Sequence, residues 1–357
     1  MISRRDFFLG AIASSGLTAQ ARADFASEDE VRDILRERID HAHQSVGIVA
    51  VSFDAARQNI TTYGNSGSAV DRLDGDTVFE IGSITKVFTA LLLTEMVTRG
   101  EVALNDPVSK YLPGNTKMPS HSGKQITFLD LATHTSGLPR IPSGIPAAGD
   151  NPYATYTVEQ LYEFLCNYNL RFDPGTHYEY SNLGFGLLGH VLALRAGSNY
   201  EDLLISRVCQ PLGLQDTRVS LNNSMRERVS QGHLSNLKPA SNWNFPTLTG
   251  AGALRSTAND LVKFVKATCL PGAAAPLRSA IDMLVQTRRP TNLPNTEVGL
   301  GYFIRTGNSD EIIYKDGETG GYASFAGFST KLRSGAVVLS NSANLVNDLG
   351  FWLTNPV

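Results

Sequence analysis

Strand-like patterns lie toward both ends of the chain, each beside a terminal helix, and the middle is mainly helical. Glu28 to Ala42 sets Val31, Ile34, Leu35 and Ile39 on one side at helical spacing, which predicts an amphipathic helix. Val46 to Phe53 and Ile60 to Tyr63 read as strands joined by a polar turn, an antiparallel pair. From Ser83 to Val97 nearly every position is apolar, no Pro or Gly interrupts, and Gly100 stands where a C-cap belongs. That stretch predicts a buried helix. Helical periods recur at Phe128 to Thr133, Val158 to Tyr168, Leu183 to Ala196, Tyr200 to Val208 and Asn259 to Thr268. The last of these has Ser256-Thr257 before it and Asp260 in its first turn, a capping arrangement. Strand patterns return at Leu300 to Arg305, Glu311 to Lys315, Tyr322 to Ser329 and Ala336 to Ser340, and Leu345 to Leu353 reads as a closing helix.

Strands at both ends with helices between imply an α+β fold: an antiparallel sheet built from both termini and flanked by helices, with an inserted, mainly helical lobe. The expected division is one catalytic domain, 24–357, with a sheet lobe at about 24–80 and 297–357 and a helical lobe at about 81–296. Gly/Pro/Asn-rich stretches around Ser136 to Pro152 and Asn236 to Gly252 read as ordered surface loops of the kind that edge a cleft. Ahead of the domain, Arg4-Arg5 precedes a short apolar run that ends at Ala21-Arg22-Ala23. The run is too short to span a bilayer, so 1–23 reads as a twin-arginine-type signal peptide and the periplasm is the expected location.

At 357 residues with a net charge of -3 and 18% charged residues, the chain offers no basic field for nucleic acid. A small-molecule or neutral substrate and a monomer are expected. Cys166, Cys209 and Cys269 permit at most one disulfide, lack metal-ligand spacing and read as buried small apolar residues. Of the seven histidines, His41 and His43 sit two apart on a helix pattern and face different ways, and H-E-x-x-H is absent. No metal and no cofactor are expected.

Ser83 and Lys86 are one short turn apart, so the amine can reach the hydroxyl on one helix face. Serine at a helix start usually caps, and lysine three residues on usually points to solvent. Ser235-Asn236-Leu237-Lys238 has the same spacing with no helix pattern around it. Lys86 differs because its helix has hardly any polar face, and burying an amine is costly unless it has work or a partner. The pair is a candidate nucleophile beside a candidate base. Two further motifs follow. Tyr180-Ser181-Asn182 lies in the loop before the helix at Leu183, and Lys315-Asp316-Gly317-Glu318-Thr319-Gly320-Gly321 ends a strand. Each alone is weak: Tyr63-Gly64-Asn65 repeats the first as turn chemistry, and the second suits a Gly-rich hairpin.

Taken in that order, the three motifs resemble those of the penicillin-recognising serine hydrolases: class C β-lactamases, low-molecular-mass penicillin-binding DD-peptidases and β-lactamase-like esterases. The resemblance extends through Phe79 to Lys86, Leu131 to Pro139 and Pro211 to Thr217. It implies acyl transfer to Ser83, with Lys86 and Tyr180 as one coupled base. It further implies that Asn182 holds the substrate acylamide and orients Lys86, and that Lys315, Gly317 and Thr319 form the edge that attracts a substrate carboxylate. The oxyanion donors would be the backbone N–H groups of Ser83 and Glu318.

Four positions depart from the pattern. Asp316 replaces the usual Thr, which adds a negative charge beside Lys315 and weakens carboxylate recognition. Arg140 and Ile141 follow Pro139 where class C enzymes tend to place a glutamine, and Thr85 stands where Ser or Ala is common. The expected function is a class C-type β-lactamase. The alternatives are a D-alanyl-D-alanine carboxypeptidase/endopeptidase trimming peptidoglycan, an esterase on the same scaffold, and a β-lactam sensor that stays acylated. An α/β-hydrolase esterase is disfavoured because Gly-x-Ser-x-Gly does not occur.

Overall fold

The structure, a computed structural model, describes residues 26–143, 145, 151–270, 272, 275–307 and 310–355; the expected signal peptide at 1–23 lies outside them. Period-two alternation builds the centre. In Gly47–Phe53, Ile48 and Ala50 face one layer while Val49, Val51 and Phe53 face the other, and all seven residues are buried. The strand Gly335–Ser340 divides in the same way, Ala336 and Val338 against Val337 and Leu339. Both faces are therefore covered. Helices Glu28–Arg36 and Asn347–Thr354 bring Val31, Leu35, Leu349 and Leu353 to one face. Helix Ala258–Cys269 brings Leu261, Phe264 and Val265 to the larger core on the other.

Eight strands make one sheet in the order Gln58–Gly64, Gly47–Phe53, Gly335–Ser340, Ala323–Ser329, Glu311–Glu318, Phe303–Thr306, Thr296–Val298, Arg289–Pro290. Every neighbouring pair is antiparallel. Ile48 lies opposite Ser340, so the first strand pairs directly with the last and the two ends of the chain share a core. The two short strands from Arg289 and Thr296 carry the sheet into the stretch expected to be helical. A separate two-stranded pair, Val78–Glu80 with Arg255–Thr257, leads the chain out to Ser83.

The predicted buried helix begins differently from expectation. Gly82–Ile84 is a tight 3₁₀ turn, and the α-helix runs Thr85–Thr98 with every residue from Thr85 to Met96 buried. Gly100 takes a left-handed φ of 70° and Glu101 N–H donates to the Met96 carbonyl at 3.0 Å, which closes the helix. Helix Asn182–Ala196 starts one residue earlier than its apolar pattern because the Ser181 hydroxyl accepts the Gly184 N–H at 2.8 Å as its cap. The expected cap before Asn259 is Thr257, which accepts from Asp260 N–H. The pattern had not shown helix Arg278–Gln286, which packs on the nucleophile helix through Ala280, Ile281 and Leu284.

All three cysteines are free, and of these Cys209 alone is buried; Cys166 and Cys269 keep partial exposure, contrary to the expectation for them. Among the described residues no group of three or more His, Cys, Asp or Glu could hold a metal ion. No helix among them is long and apolar enough to cross a membrane.

Candidate active site

Two glycines let the nucleophile turn and the lysine-bearing strand touch backbone to backbone. Gly82 sits at φ 46°, and a Cβ on it would fall 2.5–2.8 Å from the Glu318 oxygen, nitrogen and carbonyl carbon. A Cβ on Gly317 would fall 2.0 Å from the Ile81 oxygen. Ser324 Oγ pins the junction by donating to the Ile81 carbonyl at 3.0 Å. The main chain at Ser83 is thereby held against Glu318, the pair of residues from which oxyanion donors were expected.

Ser83 does not spend its hydroxyl as a cap; the turn has no side-chain capping bond. Lys86 Nζ lies 2.9 Å from Ser83 Oγ and donates at 2.6 Å to the Ala251 carbonyl. Lys86 is fully buried. Burial pushes its amine down to about 8, the Lys315 charge adds to the effect, and Tyr180 opposes it. Tyr180 stands beside both residues, its ring centre 5.0 Å from the Lys86 amine. Burial acts to raise that phenol, but the charges of Lys315 and Lys86 outweigh it and draw it down to about 8. Serine, lysine and tyrosine thus form one proton-sharing cluster, able to accept the proton of an attacking hydroxyl.

The loop before helix Asn182–Ala196 is fixed from two sides. Ser181 Oγ donates to the Pro139 carbonyl at 2.7 Å, and the Asn182 and Leu183 N–H groups reach the Arg140 carbonyl at 3.0 and 3.3 Å. Below Tyr180 lies His134, stacked on the phenol with ring centroids 4.3 Å apart. His134 Nδ1 accepts the Ser181 N–H at 3.0 Å. Burial, reinforced by Lys86 and Lys315, holds its imidazole well below the ordinary range, so it stays neutral. The expectation that Asn182 orients Lys86 is not met. Asn182 Nδ2 donates to the Tyr153 hydroxyl at 2.9 Å, and the Ala251 carbonyl steadies the lysine instead.

On the facing strand, Lys315 is buried with its ammonium 5.3 Å from the Tyr180 ring centre and 4.9 Å from that of Phe303. It donates at 2.8 Å to both the carboxylate and the carbonyl oxygen of Asp316. Asn347 Nδ2 holds the other Asp316 oxygen at 3.0 Å. Burial opposes ionisation of Asp316, but Lys315 and Asn347 draw its carboxyl down to about 2. Burial likewise opposes the Lys315 charge, and Asp316 and Tyr180 more than restore it, so Lys315 remains protonated.

Ser83, Tyr180, Phe303, Lys315 and Asp316 line a cavity of about 520 Å³ that also reaches Arg140, Asn182, Gly317, Glu318 and Thr319. Every candidate site residue named from the sequence lies at this cavity or, for Lys86, directly beneath it. His134, Tyr153, Trp243 and Phe303 were not foreseen as parts of the site. The block Leu131 to Pro139 had drawn notice as a whole, and only the fold shows that His134 supports the phenol. A second cavity of about 530 Å³, lined by His190, Tyr200 and Phe245, contains no paired nucleophile and base.

An antiparallel sheet over a helical lobe, with serine, lysine and tyrosine clustered at their junction, defines a serine hydrolase that works through an acyl-enzyme. The family model for Beta-lactamase matches residues 31–351, and the chain belongs to that family. It is 32% identical over 274 residues to the D-alanyl-D-alanine-carboxypeptidase/endopeptidase AmpH of Escherichia coli, covering 74% of this chain and 69% of that one. It is 26% identical over 348 residues to a beta-lactamase of Pseudomonas fluorescens, covering 87% and 94%. The crystal structure of a class C beta lactamase from Rhodobacter sphaeroides shares the fold at a TM-score of 0.75 and 23% identity, over 87% of this chain and 93% of that one.

Proposed function

We propose that Ser83 is the nucleophile of an acyl-enzyme hydrolase acting on β-lactams and on acyclic D-alanyl amides, with Lys86 and Tyr180 as its shared base. The observation that carries this reading is the 2.9 Å approach of a buried, pKa-lowered Lys86 amine to Ser83 Oγ with Tyr180 beside both. In the first step Ser83 Oγ bonds to the substrate carbonyl carbon while its proton passes to the lysine–tyrosine pair. The C–N bond then breaks and the departing nitrogen takes the proton. In the second step water attacks the ester carbonyl and gives a proton to the same pair, which passes it to Ser83 Oγ as the ester C–O bond breaks. The Ser83 and Glu318 N–H groups stabilise the oxyanion in both steps. Asn182, whose Oδ1 is buried without a partner, receives the substrate amide.

The test is mass spectrometry of the intact protein incubated with penicillin, with Ser83→Ala as control. An adduct on Ser83 that decays indicates a β-lactamase. A persistent adduct together with D-alanine release from a muropeptide indicates the peptidase. No adduct of any kind on the wild-type chain rejects the acyl-enzyme reading. One observation favours an ester-cleaving variant: the Lys315–Asp316 pair neutralises the edge where a leaving-group carboxylate would sit, which suits an uncharged leaving group.

The chain's location is inferred from Arg4-Arg5 and the small-residue site at Ala21 to Ala23. Twin-arginine export would deliver a monomeric enzyme to the periplasm, where β-lactams and peptidoglycan are both met, and a β-lactam-cleaving activity there would confer resistance. Retention of an Arg4→Lys/Arg5→Lys double variant in the cytoplasm supports export by this route; unchanged export removes it.

A further inference from the structure

We infer that Arg140, on the Asn182 side of the nucleophile, receives an anionic group on the acyl portion of the substrate, so that acyl donors carrying a carboxylate there are preferred. This rests on the acyl-enzyme reading of Ser83. Three cavity-lining side chains besides Arg140 carry charge: Lys315, Asp316 and Glu318. The first two neutralise each other inside the protein, through bonds of 2.8 Å. Lys315 is also 2% exposed, leaving little of it for a ligand to touch. Arg140, by contrast, is exposed at the cavity wall, and among the described residues no carboxylate lies within ion-pair distance of it.

The guanidinium is held where it would be needed. It stands 5.1 Å from the centre of the Tyr180 ring, the phenol beside the Lys86 amine. Its main-chain carbonyl is bonded by the Asn182 and Leu183 N–H groups, so Arg140 moves with the start of the helix that presents Asn182. A planar guanidinium with five donors suits a carboxylate, and its charge is permanent. Glu318, exposed at the end of the lysine-bearing strand, adds a negative charge to that edge, within electrostatic reach of Arg140 though not ion-paired with it. The cavity is therefore polar in a directed sense: cationic beside Asn182, neutral to anionic along Lys315 to Glu318.

The experiment compares p-nitrophenyl hydrogen glutarate with p-nitrophenyl valerate, which share a leaving group and chain length and differ in the acyl-side carboxylate. Rates over the Ser83→Ala background give kcat/KM for each, and the readout is their ratio, which cancels any general loss of folded enzyme. At low salt the wild-type ratio favours the anionic ester by about tenfold, Arg140→Gln lowers that ratio about tenfold, and Arg140→Lys restores part of it. Raising the salt to about 0.5 M lowers the wild-type ratio without any substitution. A working enzyme with no anionic preference, or a ratio that Arg140→Gln leaves in place, overturns the inference and spares the acyl-enzyme reading. Background rates with both esters overturn the two together.

Discussion

Lys315 and Asp316 are chain neighbours, yet Lys315 Nζ donates at 2.8 Å to both the Asp316 carboxylate and the Asp316 carbonyl. Neighbours on a strand ordinarily point to opposite faces, and here the long lysine side chain still brings its amine to its neighbour's carboxylate. The pair separates two tasks that one cation could otherwise combine. Lys315 keeps its charge and so draws Tyr180 down as a general base, but that charge is already matched when a substrate carboxylate arrives.

Asp316→Thr releases Lys315 for a ligand. The second-order rate of Ser83 acylation by a carboxylate-bearing penicillin is expected to rise about tenfold, read by mass spectrometry or by a chromogenic cephalosporin. The fold loses up to about 3 kcal/mol, because a buried ammonium is left without its partner. The pH dependence of stability changes with it. Asp316 ionises far more readily in the fold, so its contribution is present above the ordinary carboxylate value of 3.8 and is lost as pH falls toward about 2. Thermal unfolding of the two proteins should converge in that acid window. A variant with unimproved acylation would show that Asp316 does not restrain the lysine.

The pH–rate profile tests the proton-sharing cluster. At low pH Lys86 and Tyr180 are both protonated and no base is present; loss of one proton from the pair creates it. For a neutral ester, kcat/KM should rise tenfold per pH unit and level off through about 8. In Tyr180→Phe the rate falls about 10²–10⁴-fold, and the limb moves to lower pH, since the phenolate raises the lysine's affinity for its proton. A limb left near the free-lysine value of about 10.4 would mean that the amine is not desolvated during the reaction.

Much of this arrangement is legible in the chain, and the reason differs between parts. Gly47–Phe53 and Gly335–Ser340 announce themselves because a strand buried on both faces is a continuous apolar run. Ser83 and Lys86 stand out because a lysine on an all-apolar helix violates the usual pattern, and such violations concentrate at sites of function. His134 carries no such mark. Its importance comes from stacking under Tyr180, a contact between residues 46 positions apart that no local period encodes. Helix Arg278–Gln286 was hidden for a different reason: the adjoining Met283 and Val285 blur the stripe of Ala280, Ile281 and Leu284, which takes its meaning from the helix it packs on. The substitution of the Ala251 carbonyl for Asn182 as the support of Lys86 is likewise a tertiary fact, because a main-chain oxygen has no signature in sequence.

Lys86→Met separates stability from chemistry. The amine is fully buried, and its hydrogen bonds to Ser83 and Ala251 and the nearby Tyr180 offset that burial only in part, so a methionine of similar length removes a desolvation cost. The variant is expected to unfold at the same temperature or higher, with a gain of about 0.5–2 kcal/mol. Its Ser83 should no longer be acylated measurably by penicillin or by p-nitrophenyl esters. Equal losses of stability and acylation would identify Lys86 as a structural residue.

Gly82→Ala addresses the oxyanion site without touching any proton-carrying side chain. The position has a φ of 46°, and a methyl there would meet the Glu318 main chain at 2.5–2.8 Å, too close for any rotamer to relieve. The strand end must move away from the nucleophile turn, taking the Glu318 N–H out of line with the Ser83 N–H. Loss of one well-placed donor costs about 10²–10³ in kcat. The Lys86 amine stays beside Ser83 Oγ, because that contact lies within the turn and its following helix, so the limb of the pH–rate profile remains near 8. That combination, a large fall in kcat with an unshifted limb, distinguishes a lost oxyanion donor from a disturbed base. A kcat within about threefold of the wild-type value would show that Glu318 N–H does not serve the oxyanion.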